Sequence, residues 1–136
     1  MQVDPDLVFC SGISRGAFCA FRLAATDSRF AGIAALAPVS DLTALAEFEG
    51  VSEPVDKVDP ESLKARRILV AIALTDPRVS TDKSISLARS IAASAKPNEA
   101  QIEIELKEVA GHVVDPAFVD RASTWLQDSV TSLSNH

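Results

Sequence analysis

The chain has 136 residues, 47% of them hydrophobic, and its 13 basic against 19 acidic side chains leave a formal net charge of −6. That length bounds it to a single domain, residues 1–136. The acid excess, with no basic cluster beyond Lys64-Ala65-Arg66-Arg67, excludes nucleic acid as an expected partner, and no apolar run approaches the roughly 18 residues that a membrane helix needs.

Apolar strands alternate with helical patterns along the chain, which is the arrangement of a mostly parallel sheet with crossover helices. Leu7–Cys10 is a short apolar strand. Gly12-Ile13-Ser14-Arg15-Gly16 follows, and then a helix from Gly16 to about Ala25 with Phe18, Phe21 and Ala25 on one face. Gly32–Ala37 is a second buried strand, ended by Pro38, and Ile68–Leu74 is a third. A helix of about Asp82–Ala95 comes next. Thr81 is its expected cap, and Ile85, Ala88, Ile91, Ala92 and Ala95 form its expected inner face. Gln101–Lys107 alternates strictly, Ile102, Ile104 and Leu106 pointing one way and Glu103, Glu105 and Lys107 the other, as on a strand near a sheet edge. Asp115-Pro116 opens the last helix, a cap followed by proline at the first helical position, and the helix continues to about Leu133.

The segment 41–64 breaks this alternation. It is polar, contains Pro54 and Pro60, and holds two short helical patterns, Leu42–Phe48 and Pro60–Lys64. It reads as a lid or pocket-wall insertion, or equally as a long surface connection.

Leu7–Cys10 is apolar on both faces, as suits a strand in mid-sheet, yet no upstream segment of this chain is long enough to pair with its outer side. An open hydrophobic edge invites pairing, so self-association through Leu7–Cys10, most simply as a homodimer, is expected. Met1-Gln2-Val3-Asp4-Pro5 has neither the basic nor the apolar region of a signal peptide. Cys10 and Cys19 read as two free, buried thiols, and the expected location is the cytoplasm. Two cysteines and two histidines are too few for a structural metal site, and neither metal nor cofactor is expected.

The chemistry concentrates on one serine. Ser14, between Gly12 and Gly16, sits where a strand turns sharply into a helix. A serine there stands clear of the sheet on a strained turn, where a Cβ two residues before or after it would collide with backbone. The helix that follows points its unsatisfied N–H groups toward the space beside the serine oxygen, the Arg15 N–H first among them. A serine nucleophile needs a base and an orienting acid. Of the two histidines, His136 is terminal, while His112 follows Gly111 between the alternating strand and the last helix and is the expected base. For the acid, Asp76 stands one step beyond the third strand. Asp82 reads better as a first-turn helix residue, Asp41 as a turn or cap residue, and Asp115 as a cap, so Asp76 is preferred. Arg15 and Arg22 are candidates for binding a substrate carboxylate, although ion pairing along the helix is the plainer reading. Phe18, Phe21, Phe48 and Trp125 read mainly as core, Phe48 being the best pocket candidate, with Ile13 beside the serine as a second substrate contact.

Four elements now occur in order: Gly12-Ile13-Ser14-Arg15-Gly16, the Ala37-Pro38-Val39-Ser40-Asp41-Leu42 turn, Asp76-Pro77-Arg78-Val79, and Gly111-His112. Together they resemble the C-terminal catalytic half of an α/β-hydrolase of the prolyl-oligopeptidase and dienelactone-hydrolase type. The resemblance implies a truncated α/β-hydrolase fold, a mostly parallel sheet of about four strands with flanking helices and without the usual N-terminal strands. It implies Ser14 as nucleophile, Asp76 as acid, His112 as base and the Arg15 backbone N–H as one oxyanion donor. It implies a carboxylesterase acting on a small or short-chain ester, with a peptidase and a half-site needing a partner chain as alternatives. Two departures stand out. Ala71-Ile72-Ala73 occupies the stretch where relatives have His-Gly, and the loop that supplies the second oxyanion donor belongs to the N-terminal half.

Overall fold

Four apolar segments line up side by side as an all-parallel sheet in the order β1-β2-β3-β4, the strands being Val8–Ile13, Phe30–Leu36, Arg67–Ala73 and Gln101–Lys107. The computed structural model describes residues 4–5, 7–50, 57–97, 99 and 101–135, and the expectation for His136 lies outside them. Helices α1 (Arg15–Thr26), α2 (Thr81–Ser94) and α3 (Pro116–Ser134) make the connections or flank the sheet. Leu42–Ala44, Ala46–Phe48 and Glu61–Leu63 are single 3₁₀ turns between β2 and β3.

The period of two in the strands sorts side chains between the two faces. Ile33, Ala35, Ile68, Val70 and Ile72 point to the face covered by α1 and α2, where Phe18, Phe21, Leu87 and Ile91 complete the main core. Ala34, Leu36, Leu69 and Ala71 point the other way, onto Trp125 and Phe118 of α3. Phe9 of β1 meets Trp125 edge-on, ring centroids 5.9 Å apart at 88°. A sheet covered on both faces explains why β2 and β3 read as continuous apolar runs rather than alternating ones. Within the described residues β4 pairs with β3 alone, and Ile104 and Leu106, which the alternation placed on the inward face, are instead exposed at this sheet edge.

Local details depart from the sequence reading. α1 begins at Arg15, because Ser14 itself forms the turn. α2 is capped by Ser80, whose hydroxyl accepts the Lys83 N–H, and not by Thr81, which is pulled inward. Its inner face is Thr81, Ser84, Leu87, Ala88 and Ile91, so Ile85, Ala92 and Ala95 fall outside it. The register shifts because two small polar side chains, not three aliphatic ones, meet the sheet. Cys10 and Cys19 are free, but only Cys10 is partly buried. Cys19 is exposed, because α1 buries the face carrying Ala17, Phe18, Ala20 and Phe21. The 41–64 segment is anchored to the main core through Leu45, Val58 and Leu63.

Within the described residues β1 has a strand neighbour on one side only. Its residues are half-buried to exposed, and an apolar cleft of about 230 Å³ runs between β1 and α3, lined by Phe9, Leu36, Val119, Ala122 and Leu126 among others.

Candidate active site

Parallel strands all end on the same edge, so the loops that leave β1, β3 and β4 converge there. The three residues singled out in the sequence occupy those loops: Ser14 after β1, Asp76 after β3 and His112 after β4.

Ser14 adopts φ 54°, ψ −118°, a conformation rare for a residue with a side chain. Backbone on both sides holds it there. Its N–H donates to Leu36 O at 3.0 Å, and its carbonyl accepts the Val39 N–H at 3.1 Å and the Ala17 N–H at 3.1 Å. The turn brings strand and helix so close that a Cβ on Gly12 would stand 2.3 Å from Gly16 O and 2.5 Å from Ala17 N. The expected collision at the second glycine is absent, since a Cβ on Gly16 meets nothing within 4 Å. Ala37 (φ 44°) and Ser80 (φ 62°) also take positive φ, so all three such non-glycine residues of the described chain lie in the loops at this end of the sheet.

Asp76 is fully buried at its side chain. One carboxylate oxygen accepts the Arg78 N–H at 2.9 Å and the Val79 N–H at 3.1 Å, and the other faces His112 Nδ1 at 2.8 Å. Its own N–H donates to Thr81 Oγ1 at 2.9 Å, and that hydroxyl donates to Ala73 O at 2.8 Å. Thr81 is therefore a strut for the acid's loop, a role that its place at a helix start concealed. Asp82 and Asp41 behave as read: Asp82 lies in the first turn of α2, and Asp41 caps the 3₁₀ turn Leu42–Ala44 and pairs with Lys83 at 2.8 Å.

His112 is presented by a tight loop. Gly111, at φ 79°, makes the turn before it, in a region that favours glycine. Lys107, the last residue of β4, reaches across to Asp115 at 2.7 Å, while Asp115 also caps α3 by accepting the Ala117 N–H. His112 Nε2 stands 3.0 Å from Ser14 Oγ. An ionised carboxylate only accepts, so Nδ1–H donates to Asp76 and Nε2 is left to accept the serine hydroxyl. The result is a continuous hydrogen-bonded row, Ser14–His112–Asp76, built from residues far apart in the chain.

Arg15 opens α1 directly after Ser14. There the first N–H groups of a helix have no intrahelical acceptor. Among the described residues neither Arg15 nor Arg22 forms an ion pair, contrary to the plainer sequence reading. Ile13 is 54% exposed beside the serine. Phe48 packs against the main core. Arg78, which the sequence reading passed over, pairs through its guanidinium with Glu47 of the 3₁₀ turn Ala46–Phe48. No group of three or more His, Cys, Asp or Glu among the described residues could hold a metal ion, and no described helix is long and apolar enough to cross a membrane.

No protein-family model matches the sequence, and no curated protein is similar to it. The fold has solved counterparts. TT1662 from Thermus thermophilus superposes with a TM-score of 0.74 at 20% identity, over 89% of this chain and 53% of that one. Acetyl xylan esterase 1 from Thermoanaerobacterium sp. superposes with 0.70 at 17% identity, over 93% of this chain and 47% of that one. A puromycin-hydrolyzing peptidase of Mycobacterium tuberculosis superposes with 0.73 at 20% identity, over 93% of this chain and 22% of that one. The chain thus spans about half the length of the first two and about a fifth of the third, and its four parallel strands and three helices match part of the α/β-hydrolase fold.

Proposed function

We propose that the chain is a serine hydrolase that cleaves small or short-chain carboxylic esters. The row Ser14–His112–Asp76, with 3.0 Å and 2.8 Å between its polar atoms, is the observation that carries this reading. Ser14 Oγ attacks the ester carbonyl as His112 Nε2 takes its proton, and Asp76 fixes the imidazole tautomer and stabilises the cation that forms. The oxyanion lies against the Arg15 N–H at the start of α1. His112 then returns the proton to the departing alcohol, and water activated by the same imidazole releases the acyl group from Ser14. Loss of one oxyanion donor lowers turnover by about 10²–10³. With Arg15 as the one donor identified among the described residues, the reaction is expected to favour esters with good leaving groups. Esterases and peptidases both stand among the similar folds, so a peptidase is the second reading.

The test is hydrolysis of a short-chain p-nitrophenyl ester beside Ser14→Ala. Turnover by the native chain alone supports the reading, and equal inactivity of both overturns it for the isolated chain.

The outer side of β1 favours a second element of this reading. The strand is unpaired there within the described residues, and Val119 and Leu126 are exposed beside it. Self-association through this edge, as a homodimer, would cover both. A monomer by light scattering at micromolar concentration overturns that part. The free thiols suit a reducing compartment, so a cytoplasmic location belongs to the same reading.

A further inference from the structure

We propose that Lys107 is a positioning residue for the base: its ion pair with Asp115 draws the two ends of the His112 loop together and sets the reach of the imidazole to Ser14 and Asp76. This rests on the hydrolase reading of that row and adds the device that holds it in place.

His112 lies in the stretch 108–114, between the end of β4 at Lys107 and the cap of α3 at Asp115. Among the described residues, the only hydrogen bonds made from this stretch are the two on the His112 ring. Val114 adds an apolar anchor beside Leu36, Ala71 and Phe118, and Gly111 turns the backbone at φ 79°. The place of the ring therefore depends on how the two ends of the loop are set.

Those ends belong to elements that share no core cluster among the described residues. Phe118 and Trp125 of α3 pack on side chains of β1, β2 and β3, and neither apolar cluster under α3 contains a β4 residue. Ile102 of β4 packs on the opposite face of the sheet, while Ile104 and Leu106 are exposed. Two ion pairs join β4 to α3 instead. Lys107–Asp115, at 2.7 Å, stands at the catalytic edge, and Glu103–Arg121 lies lower on the strand. Lys107 is itself anchored, since its carbonyl accepts the Leu74 N–H at 2.8 Å, two residues before Asp76. The Lys107 ammonium and the Ala117 N–H donate to the same Asp115 oxygen, and together they hold that carboxyl below its ordinary range. Lys107 thus holds the end of the acid's strand with its backbone and the start of the helix after the base with its side chain. Proton transfer from Ser14 demands the imidazole within hydrogen-bond reach, and small misplacements of a catalytic group lower kcat steeply. A partly exposed ion pair favours its closed geometry by about fivefold at most, which sets the size of the effect.

The experiment measures kcat and KM on 4-nitrophenyl butyrate. Alongside it, NMR follows the low-field proton of His112 Nδ1, a signature of the hydrogen bond to Asp76 that needs no turnover. Lys107→Met keeps the aliphatic stem and removes the charge. It is expected to lower kcat about fivefold with KM unchanged, and to broaden the proton signal. Lys107→Arg should restore both. Asp115→Asn keeps a good helix cap without the charge and should act as Lys107→Met does. Arg121→Met breaks the other β4–α3 pair and should leave kcat and the signal unchanged. Values unmoved by Lys107→Met, or moved equally by Arg121→Met, overturn the positioning role. A proton signal that depends on Lys107 in a chain without Ser14-dependent turnover supports the positioning and overturns the hydrolase reading instead. Absence of both signal and turnover in the native chain overturns the two together.

Discussion

The hydroxyl of Thr81 lies 2.9 Å from the Asp76 amide nitrogen and 2.8 Å from Ala73 O, so a single buried side chain joins the end of β3, the acid's backbone and the first turn of α2. Both backbone groups lose their partner if the hydroxyl is lost. Thr81→Val keeps the shape and removes the bonds. It is expected to lower stability by about 1–3 kcal/mol, since buried polar groups would be left unsatisfied. It should also reduce kcat on a p-nitrophenyl ester more than it changes KM. Urea unfolding together with steady-state kinetics checks both, and an unchanged kcat would show that the loop keeps Asp76 in place without the strut.

Asp76→Asn separates orientation from packing. The amide oxygen can still accept the Arg78 and Val79 N–H groups, but its NH₂ would then face His112 Nδ1 and force the proton onto Nε2. That nitrogen could no longer accept from Ser14. The expected loss is about 10⁴ in kcat, with little change in thermal midpoint. A midpoint that collapses would instead give the carboxylate a structural role.

The two glycines around Ser14 are predicted to differ sharply. Gly12→Ala places a methyl group 2.3 Å from Gly16 O, backbone against backbone, and is expected to destabilise the chain by more than about 3 kcal/mol. Gly16→Ala meets open space inside α1 and is expected to stay within about 1 kcal/mol of the native chain, on the stabilising side. Chemical denaturation of the pair checks this, and similar losses at both positions would refute it.

Acid sensitivity should show at the end of α1. Asp27 accepts the Arg29 N–H and its guanidinium, and these bonds, the side-chain ones first, lower its carboxyl from 3.8 to about 2. A depressed folded-state pKa adds stability above the unfolded value, and that stability disappears as pH falls through the folded value. The stability difference between the native chain and Asp27→Asn should therefore be constant above about pH 4 and shrink between about pH 4 and pH 2. Its partner Arg29 is well exposed to solvent, which keeps the effect small. A difference that persists unchanged at pH 2 would show that the charge is not its source.

Much of this molecule was legible before the structure. The buried strands at 30–36 and 67–73, the alternating edge strand, and the capped last helix follow from local rules, because periodicity and capping act over a few residues. Gly12 with Ser14, Asp76 past its strand and Gly111-His112 were readable for the same reason. Each is a residue type that a turn or a proton transfer demands at a fixed place along the chain. The sequence by itself determined which residue types stand at these turns and which loop each one leaves from. Only the tertiary structure decided that the three loops meet, putting His112 within 3.0 Å of a serine 98 positions earlier. It also turned Thr81 inward, left Cys19 in solvent, and paired Glu47 with Arg78. Those outcomes depend on strand order and helix register across the whole sheet, and contacts between distant segments have no signature in the residues that make them.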